Sequence, residues 1–412
     1  MISRIAWRNI WRNKKRTVIT IAPIALGLAF AIFFVSIEDG LRDRLENDAV
    51  QFMAGHITLE HPAYQDEPAI DIYLTDTEQL RVQIEERKDV KRTKLLVIAR
   101  GVAKSSVSSM GVKIFGVEPS AEKQTSPLVS QMTAGRYLQD GDNAHVVIGR
   151  KLAERLGTGV GKKLVLTTTD TQSMITDVLC RIVGVFETGL EEVDSYIVHI
   201  PLLFAREILY LPQDSATQLS VILSRSEAGG RLIQEIKALT AEKPIAVYSW
   251  HSMVPELASL IQMIRYSVVI LEGLLILLIL FTILNTILMS VVERRKEFAV
   301  LLALGTPPGF LKRKIFLESA WIALHGVVLG TIMGGLISLA FQIWGLDLNK
   351  IIGTDQFFFG FGTPSLIYPR VQLGTLLKMG GIVLAAVLAI SLIPMRWAVK
   401  VPIAETIRLE KP

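Results

Sequence analysis

Val18-Ile-Thr-Ile-Ala-Pro-Ile-Ala-Leu-Gly-Leu-Ala-Phe-Ala-Ile-Phe-Phe-Val-Ser-Ile37 is a run of twenty residues without a single charge. A helix of about 20 apolar residues is what the hydrocarbon core of a bilayer requires. The Ala29-Phe30-Ala31 triplet behind a basic leader resembles a signal cleavage site. Apolar residues continue past it to Ile37 with no polar region around the cut, so a retained helix is expected. Three further runs have the same character. They lie at about Val268–Val292 with one acid, Glu272, at Ile315–Trp344 with Glu318 and His325 in its first half, and at Leu376–Met395 with Lys378 near its outer end. Lys378 has a stem long enough to snorkel to the interface. Nothing between Glu38 and about Arg265 contains such a run.

Composition agrees with this division. The 412 residues are 50% hydrophobic and 20% charged, below the roughly 25% charged residues of soluble domains. Lys and Arg accumulate on the cytoplasmic side of spanning helices. Arg4, Arg8, Arg12, Lys14, Lys15 and Arg16 precede the first run without an acid among them. The segment between the second and third runs, and the tail after the fourth, are basic too, whereas the loop between the third and fourth is balanced. Both termini and the middle loop are therefore expected inside, with residues from about 39 to 265 outside. These inner segments hold more positive charge than the chain's net +5. The basic balance thus reports topology, and no basic stripe interleaved with aromatics suggests a nucleic acid.

The fold class that follows is an α-helical membrane protein of four transmembrane helices with an inserted α/β extracytoplasmic domain. Within that domain, β-rich runs recur at His56–Glu60, Leu95–Ala99, Val112–Val117, His145–Ile148, Lys163–Thr168, Cys180–Phe186, Tyr196–Ile200, Gln218–Leu223 and Ile245–Trp250. Helical patterns separate them at Thr77–Glu86, Arg150–Leu156, Leu202–Tyr210 and Arg231–Ala241. Cys180 is the only cysteine, so no intrachain disulfide can form, and its apolar neighbours mark it as a small core residue.

Chemistry within the chain is not expected. Gly157-Thr-Gly-Val-Gly161-Lys-Lys163 has three residues between its outer glycines and Lys163 where a phosphate loop needs Ser or Thr. The six histidines show no metal-ligand pair on one helix, and there is no nucleophile elbow. Other features lie in and beside the membrane runs. Gly326, Gly330 and Gly334 form a small-residue ridge. Two uses are open for it, helix packing within one subunit and contact with another. Asn285 is expected to bond across to a neighbouring helix. Glu318 can be satisfied by water or by a basic neighbour such as Lys314, and Glu272 can face a cavity. Glu293-Arg-Arg-Lys-Glu-Phe-Ala-Val-Leu-Leu-Ala-Leu-Gly305 reads as a short amphipathic helix with a charged end, suited to a lipid surface or a partner's groove.

Three stretches carry a family resemblance. Ala6-Trp-Arg-Asn-Ile-Trp-Arg-Asn-Lys-Lys-Arg-Thr17, Asn285 through Gly305, and Pro402-Ile-Ala-Glu-Thr-Ile-Arg408 resemble the corresponding motifs of FtsX/MacB-type ABC permeases, nearest the lipoprotein-releasing LolC/LolE kind. Leu302 and Pro307-Pro308 depart from the pattern, at positions where basic or small residues are common. The resemblance implies a layout. Residues 1–17 form a cytoplasmic amphipathic lead-in helix, 18–38, 266–293, 313–345 and 373–396 the spanning helices, and 39–265 a MacB-like periplasmic domain. A cytoplasmic coupling helix at 294–312, a periplasmic loop at 346–372 and a cytoplasmic tail at 397–412 complete it.

It also implies a bacterial inner-membrane permease that is not an enzyme. ATP and Mg would be held by a dimer of a separate ABC ATPase, and seventeen residues ahead of the first helix leave no ATPase domain to expect in this chain. A second permease, identical or not, would pair with it, with membrane lipid and a periplasmic carrier or adaptor as further partners. Contacts to the ATPase would come from Glu293, Arg294, Arg295, Lys296, Glu297, Phe298, Leu301, Leu304 and Gly305. Phe30, Phe33, Phe34, Ile264 and Glu272 would flank a lateral opening between helices one and two. The implied cargo is lipoprotein, with a MacB-like efflux or signalling permease and an FtsX-like mechanotransmitter for a periplasmic hydrolase as alternatives.

Overall fold

A computed structural model describes residues 7–8, 14–225, 228–347, 357–358, 361–362 and 366–397. Most of the lead-in motif, much of the loop 346–372 and the tail with Pro402–Arg408 lie outside the described residues. The chain divides into a helical unit of residues 1–43, 262–348 and 366–412, and a second unit of residues 44–261 and 349–365.

In the helical unit and its continuations, four helices are long and apolar enough to cross a membrane: Thr17–Phe52, Pro255–Glu293, Pro308–Trp344 and Leu373–Trp397. The helices outrun the apolar runs that mark them. The first is α-helical from Lys14 to Asp48 and the second starts at Pro255. Apolar length reports only what lipid requires, whereas polar turns continue a helix when their side chains pair along it. Arg42 meets Asp39 at 2.8 Å, and Arg44 and Asp48 pair four residues apart. The outer end of the first helix is also held by the segment leading into the fourth. The Arg370 amide donates to the Ser36 carbonyl at 2.8 Å, and the Arg370 guanidinium pairs with Asp43.

The second unit is built on a ten-stranded sheet. Its strands are β1 (Ile57–Glu60), β3 (Val90–Lys104), β4 (Ser109–Val117), β5 (Met132–Gly135), β6 (His145–Gly149), β7 (Lys163–Thr169), β8 (Ile175–Phe186), β9 (Ile197–Pro201), β11 (Gln218–Leu223) and β12 (Ala246–Ser249), with β2 (Leu74–Thr75) and β10 (Ser215–Ala216) pairing apart. The order is β12-β1-β11-β3-β4-β9-β6-β8-β5, and β7 bridges β3 and β8. Pairing is antiparallel except for β4 with β9 and β6 with β8, so the sheet is mixed. Every predicted strand run overlaps a strand of this sheet.

Its central strands are buried on both faces, which is why they read as continuous apolar runs. Leu95, Val97 and Ala99 of β3 enter a core shared with Ile57, Val146 and Ile200, while Leu96 and Ile98 enter another with Phe115, Leu138 and Phe186. Cys180 is buried in the first core, and burial pushes its thiol up to about 12, so it is an inert packing residue.

The second core contains polar groups. Lys94 pairs with Glu122 at 3.0 Å, both almost wholly buried. Tyr137 Oη lies 2.7 Å from His199 Nδ1 inside a cage with Phe115 and Phe186. Burial holds the His199 imidazole down at about 4, from 6.5 when solvated. Between those values the unfolded chain binds a proton that the folded one refuses, so stability falls as pH drops from about 6.5 towards 4. The loss amounts to roughly 3 kcal/mol at 1.36 kcal/mol per pKa unit. Denaturant titrations of the full chain between pH 7 and pH 4 are expected to show this slope, and His199→Phe to flatten it. An equal slope in both proteins would refute the assignment.

Candidate functional site

The features that sequence marked lie in the helical unit, and the contact that organises them is a glycine ridge. A Cβ on Gly326 would stand 2.7 Å from Ile24 Cβ, one on Gly330 2.8 Å from the Ala25 carbonyl oxygen, and one on Gly334 2.9 Å from Ala29 Cα. All three faced residues belong to the first helix, so the ridge serves close helix packing within the chain. Gly27, on the first helix, meets Ile279 of the second in the same way, with a Cβ 2.7 Å from its side chain. The first helix is accordingly the hub: half of its most apolar stretch is buried, against 11% for the second helix.

The second helix ends at Glu293, and Arg294 breaks it with φ −100° and ψ 14° before a short helix, Arg295–Ala303. Arg294 also fastens the break. Its guanidinium pairs with Glu318 of the third helix at 3.1 Å and with Glu297 at 3.1 Å, and it lies 5.2 Å from the Phe298 ring centre. The far end is closed by a glycine cap. Gly305 adopts φ +86°, its amide donates to the Leu302 carbonyl and that of Thr306 to the Leu301 carbonyl, both at 3.0 Å. This is the Schellman arrangement, which needs the left-handed backbone that glycine takes without strain. The third helix starts directly after, at Pro308.

The short helix has two faces. Phe298 and Ala299 are buried and Leu301 and Leu302 half-buried in the helical core. Glu293, Arg295, Lys296, Glu297, Val300, Leu304 and Gly305 are exposed. Of the residues predicted to meet an ATPase, Phe298, Leu301 and Arg294 therefore anchor the helix, and the others lie on its exposed face. Val300, absent from that prediction, belongs to the exposed face as well.

Other predicted residues are placed differently. Among the described residues, Asn285 has no bond to another helix. It is exposed beside Phe281 and Met289, because the buried stripe of the second helix is Ile279, Ile283, Ile287 and Val291, about 200° round from position 285. Phe30, Phe33 and Phe34 form one aromatic run, with Phe30 and Phe34 ring centres 4.7 Å apart, and Phe33 continues it to Phe341 of the third helix at 5.3 Å. Ile264 and Glu272 sit half-buried on the second helix, outside that run. Glu318 takes Arg294, which is 24 residues away in sequence.

Trp7, part of the lead-in motif, packs its ring on Trp321 at 5.1 Å and on His325 at 5.0 Å, joining that segment to the third helix. The apparent phosphate loop is a turn: Gly157 and Gly161 have φ +58° and +86°, and the Gly161 amide donates to the Ile182 carbonyl at 2.7 Å. No group of His, Cys, Asp or Glu able to hold a metal occurs among the described residues.

Comparison with known proteins gives the following. The family model of the MacB-like periplasmic core domain matches residues 17–239, and that of the FtsX-like permease C-terminal region matches residues 269–403. The lipoprotein-releasing system transmembrane protein LolC of Neisseria meningitidis is 24% identical over the whole of both chains. The corresponding LolE protein of Haemophilus influenzae is 22% identical over 94% of this chain and 93% of its own. Among solved structures, the periplasmic region of MacB from Actinobacillus actinomycetemcomitans covers 49% of this chain and 92% of its own, at 13% identity and a TM-score of 0.35.

Two outcomes test the helical geometry. Gly330→Val should destabilise the chain by about 1–3 kcal/mol through overpacking, seen as a lower melting temperature in detergent. Gly381→Val, where a Cβ would meet nothing within 4 Å, should be near neutral. Arg294→Ala and Glu318→Ala should be non-additive, with a coupling of about 0.5–3 kcal/mol. Simple additivity in a double-mutant cycle would remove the clasp from the argument.

Proposed function

The chain belongs to the family of ABC-transporter permeases with a MacB-like periplasmic core and an FtsX-like permease region, and on that premise we propose that it takes motion from a separate ATPase to lift lipid-anchored protein out of the membrane. Family membership implies an ATPase partner and a second permease subunit. The observation that carries the coupling role is the two-faced helix Arg295–Ala303. Its inner face is fixed by Phe298, Ala299 and the Arg294–Glu318 pair, and its outer face offers a charged end followed by Val300 and Leu304. Exposed apolar side chains on a helix with a pinned back suit a groove in a partner protein.

The ATPase would seat that outer face. Displacement of the short helix would pass through Arg294 to the second and third helices at once. Two of the crossings between the helical unit and the outer domain, at 43/44 and 261/262, fall inside helices. A helix resists bending, because a sharp kink disrupts its hydrogen-bond ladder, which supports transmission of force rather than its loss in a loop. Lipoprotein as cargo rests on the full-length likeness to LolC and LolE proteins. Phe30 and the second helix, with its large exposed apolar face, are the surfaces such a cargo's acyl chains would meet.

Purification of the chain from its native membrane, followed by mass spectrometry, tests the reading. An ABC ATPase and triacylated lipoproteins are expected to copurify. Leu304→Asp with Val300→Asp should cut ATPase recovery at least tenfold while leaving the melting temperature nearly unchanged, since both side chains are exposed. A periplasmic hydrolase or an adaptor recovered with no acylated protein would overturn the cargo assignment. Full ATPase recovery with the double variant would overturn the docking face.

A further inference from the structure

The second long helix, Pro255–Glu293, is the least covered of the four, with 11% of its most apolar stretch buried. Its exposed side carries a pattern that contact with lipid alone does not require. Leu274, Leu278, Phe281, Asn285, Leu288 and Val292 follow one another in steps of four, three, four, three and four. All are exposed except Leu288, which is half-buried. That is the 3.5-residue repeat of a coiled-coil seam, the period at which two helices stay in contact along their length.

One position of the seam is polar. Asn285 stands between Phe281 and Val292, and its amide has no hydrogen bond among the described residues. The hydroxyls beside it are satisfied by their own helix. Thr282 donates to the Leu278 carbonyl at 2.9 Å, and Thr286 to that of Thr282 at 2.8 Å. A side-chain amide offers two donors and an acceptor, and lipid tails answer none of them. Whatever closes the seam must therefore bring a donor and an acceptor to the depth of Asn285. A second copy does this by symmetry. Two copies inserted in the same sense are related by an axis along the membrane normal, so identical residues lie at equal depth and face each other. Each Asn285 amide then donates to the other's carbonyl oxygen, while Leu278, Phe281 and Val292 meet their counterparts. A single Asn in such a seam fixes its register and the number of strands.

We infer that two copies of this chain pair in parallel through the second helix, with the two Asn285 side chains bonded across the two-fold axis. The inference deepens the transport reading and rests on its membrane-spanning pair of permeases, naming the second subunit as identical. Tyr266, Val269 and Leu277 lie exposed to one side of the seam and stay open to lipid or cargo.

The test uses the full chain in its native membrane, carried as two differently tagged forms in a Cys180→Ala background. Single cysteines are oxidised with copper phenanthroline. Phe281→Cys and Val292→Cys are expected to give disulfide-linked dimers bearing both tags. Their yield should exceed at least fivefold that of Val269→Cys and of Ile382→Cys on the fourth helix, although all these positions are exposed. Asn285→Leu should raise the dimer dissociation constant in mild detergent by about threefold or more. Its helical circular dichroism should stay unchanged, since the side chain is exposed, and Asn285→Gln should keep the pairing. Equal crosslinking at seam and control positions, seam crosslinks to a different permease chain, or an unchanged dissociation constant for Asn285→Leu would each overturn the inference. The transport reading fails separately. It falls if the dimer forms and no ATPase copurifies, and it stands if the ATPase copurifies with this chain beside an unlike permease.

Discussion

The approach of the first and third long helices is the constraint on which the helical unit depends. At Gly326, Gly330 and Gly334 the backbones come so near that a single methyl group would collide with Ile24, Ala25 or Ala29. In lipid there is no hydrophobic drive to bring helices together, so close van der Waals contact must hold them. The same ridge fixes the rotation of the first helix. Gly27 is then turned towards Ile279, and the second helix packs by the stripe Ile279, Ile283, Ile287 and Val291. Asn285, off that stripe, is left exposed.

With the bundle fixed, the short helix Arg295–Ala303 becomes a defined surface rather than a loose loop. Two devices limit its freedom. Arg294 spans the break before it and reaches Glu318, and Gly305 closes its carbonyls before Pro308 opens the next helix. An exposed ion pair contributes little, but this one is more than four-fifths shielded on both partners. Its worth lies in registry: it ties the break after the second helix to the third helix.

Much of this was legible from residue order. Spanning runs show themselves because lipid tolerates few charges, and the outer strands show themselves because Val, Ile and Leu cluster between turn residues. Contacts between distant residues were less accessible. Glu318 sits four residues from Lys314, a neighbour any helical repeat suggests, whereas Arg294 becomes a neighbour only when the break folds the chain back. The outward place of Asn285 was recoverable, since it falls off the i, i+4 stripe that begins at Ile279. The edge strand β5, Met-Thr-Ala-Gly, was not, because four short and mostly exposed residues leave no alternation to find. The π-helix at Ala49–Ala54 likewise has no compositional sign.

That π-helix has a further consequence for the outer domain. A one-turn change from i→i+4 to i→i+5 bonding tends to occur where function asks for it, and here it ends at Gly55, where φ is +71°. A Cβ at Gly55 would come 3.0 Å from Ser220 Cβ and 3.2 Å from the Val221 carbonyl oxygen, so the turn lies directly on β11. The Ala54 carbonyl accepts from both Thr58 and Ser220. The first helix thus runs into the sheet through a bonded turn rather than through a linker. Any rearrangement of that turn must break bonds to β1 and β11 together.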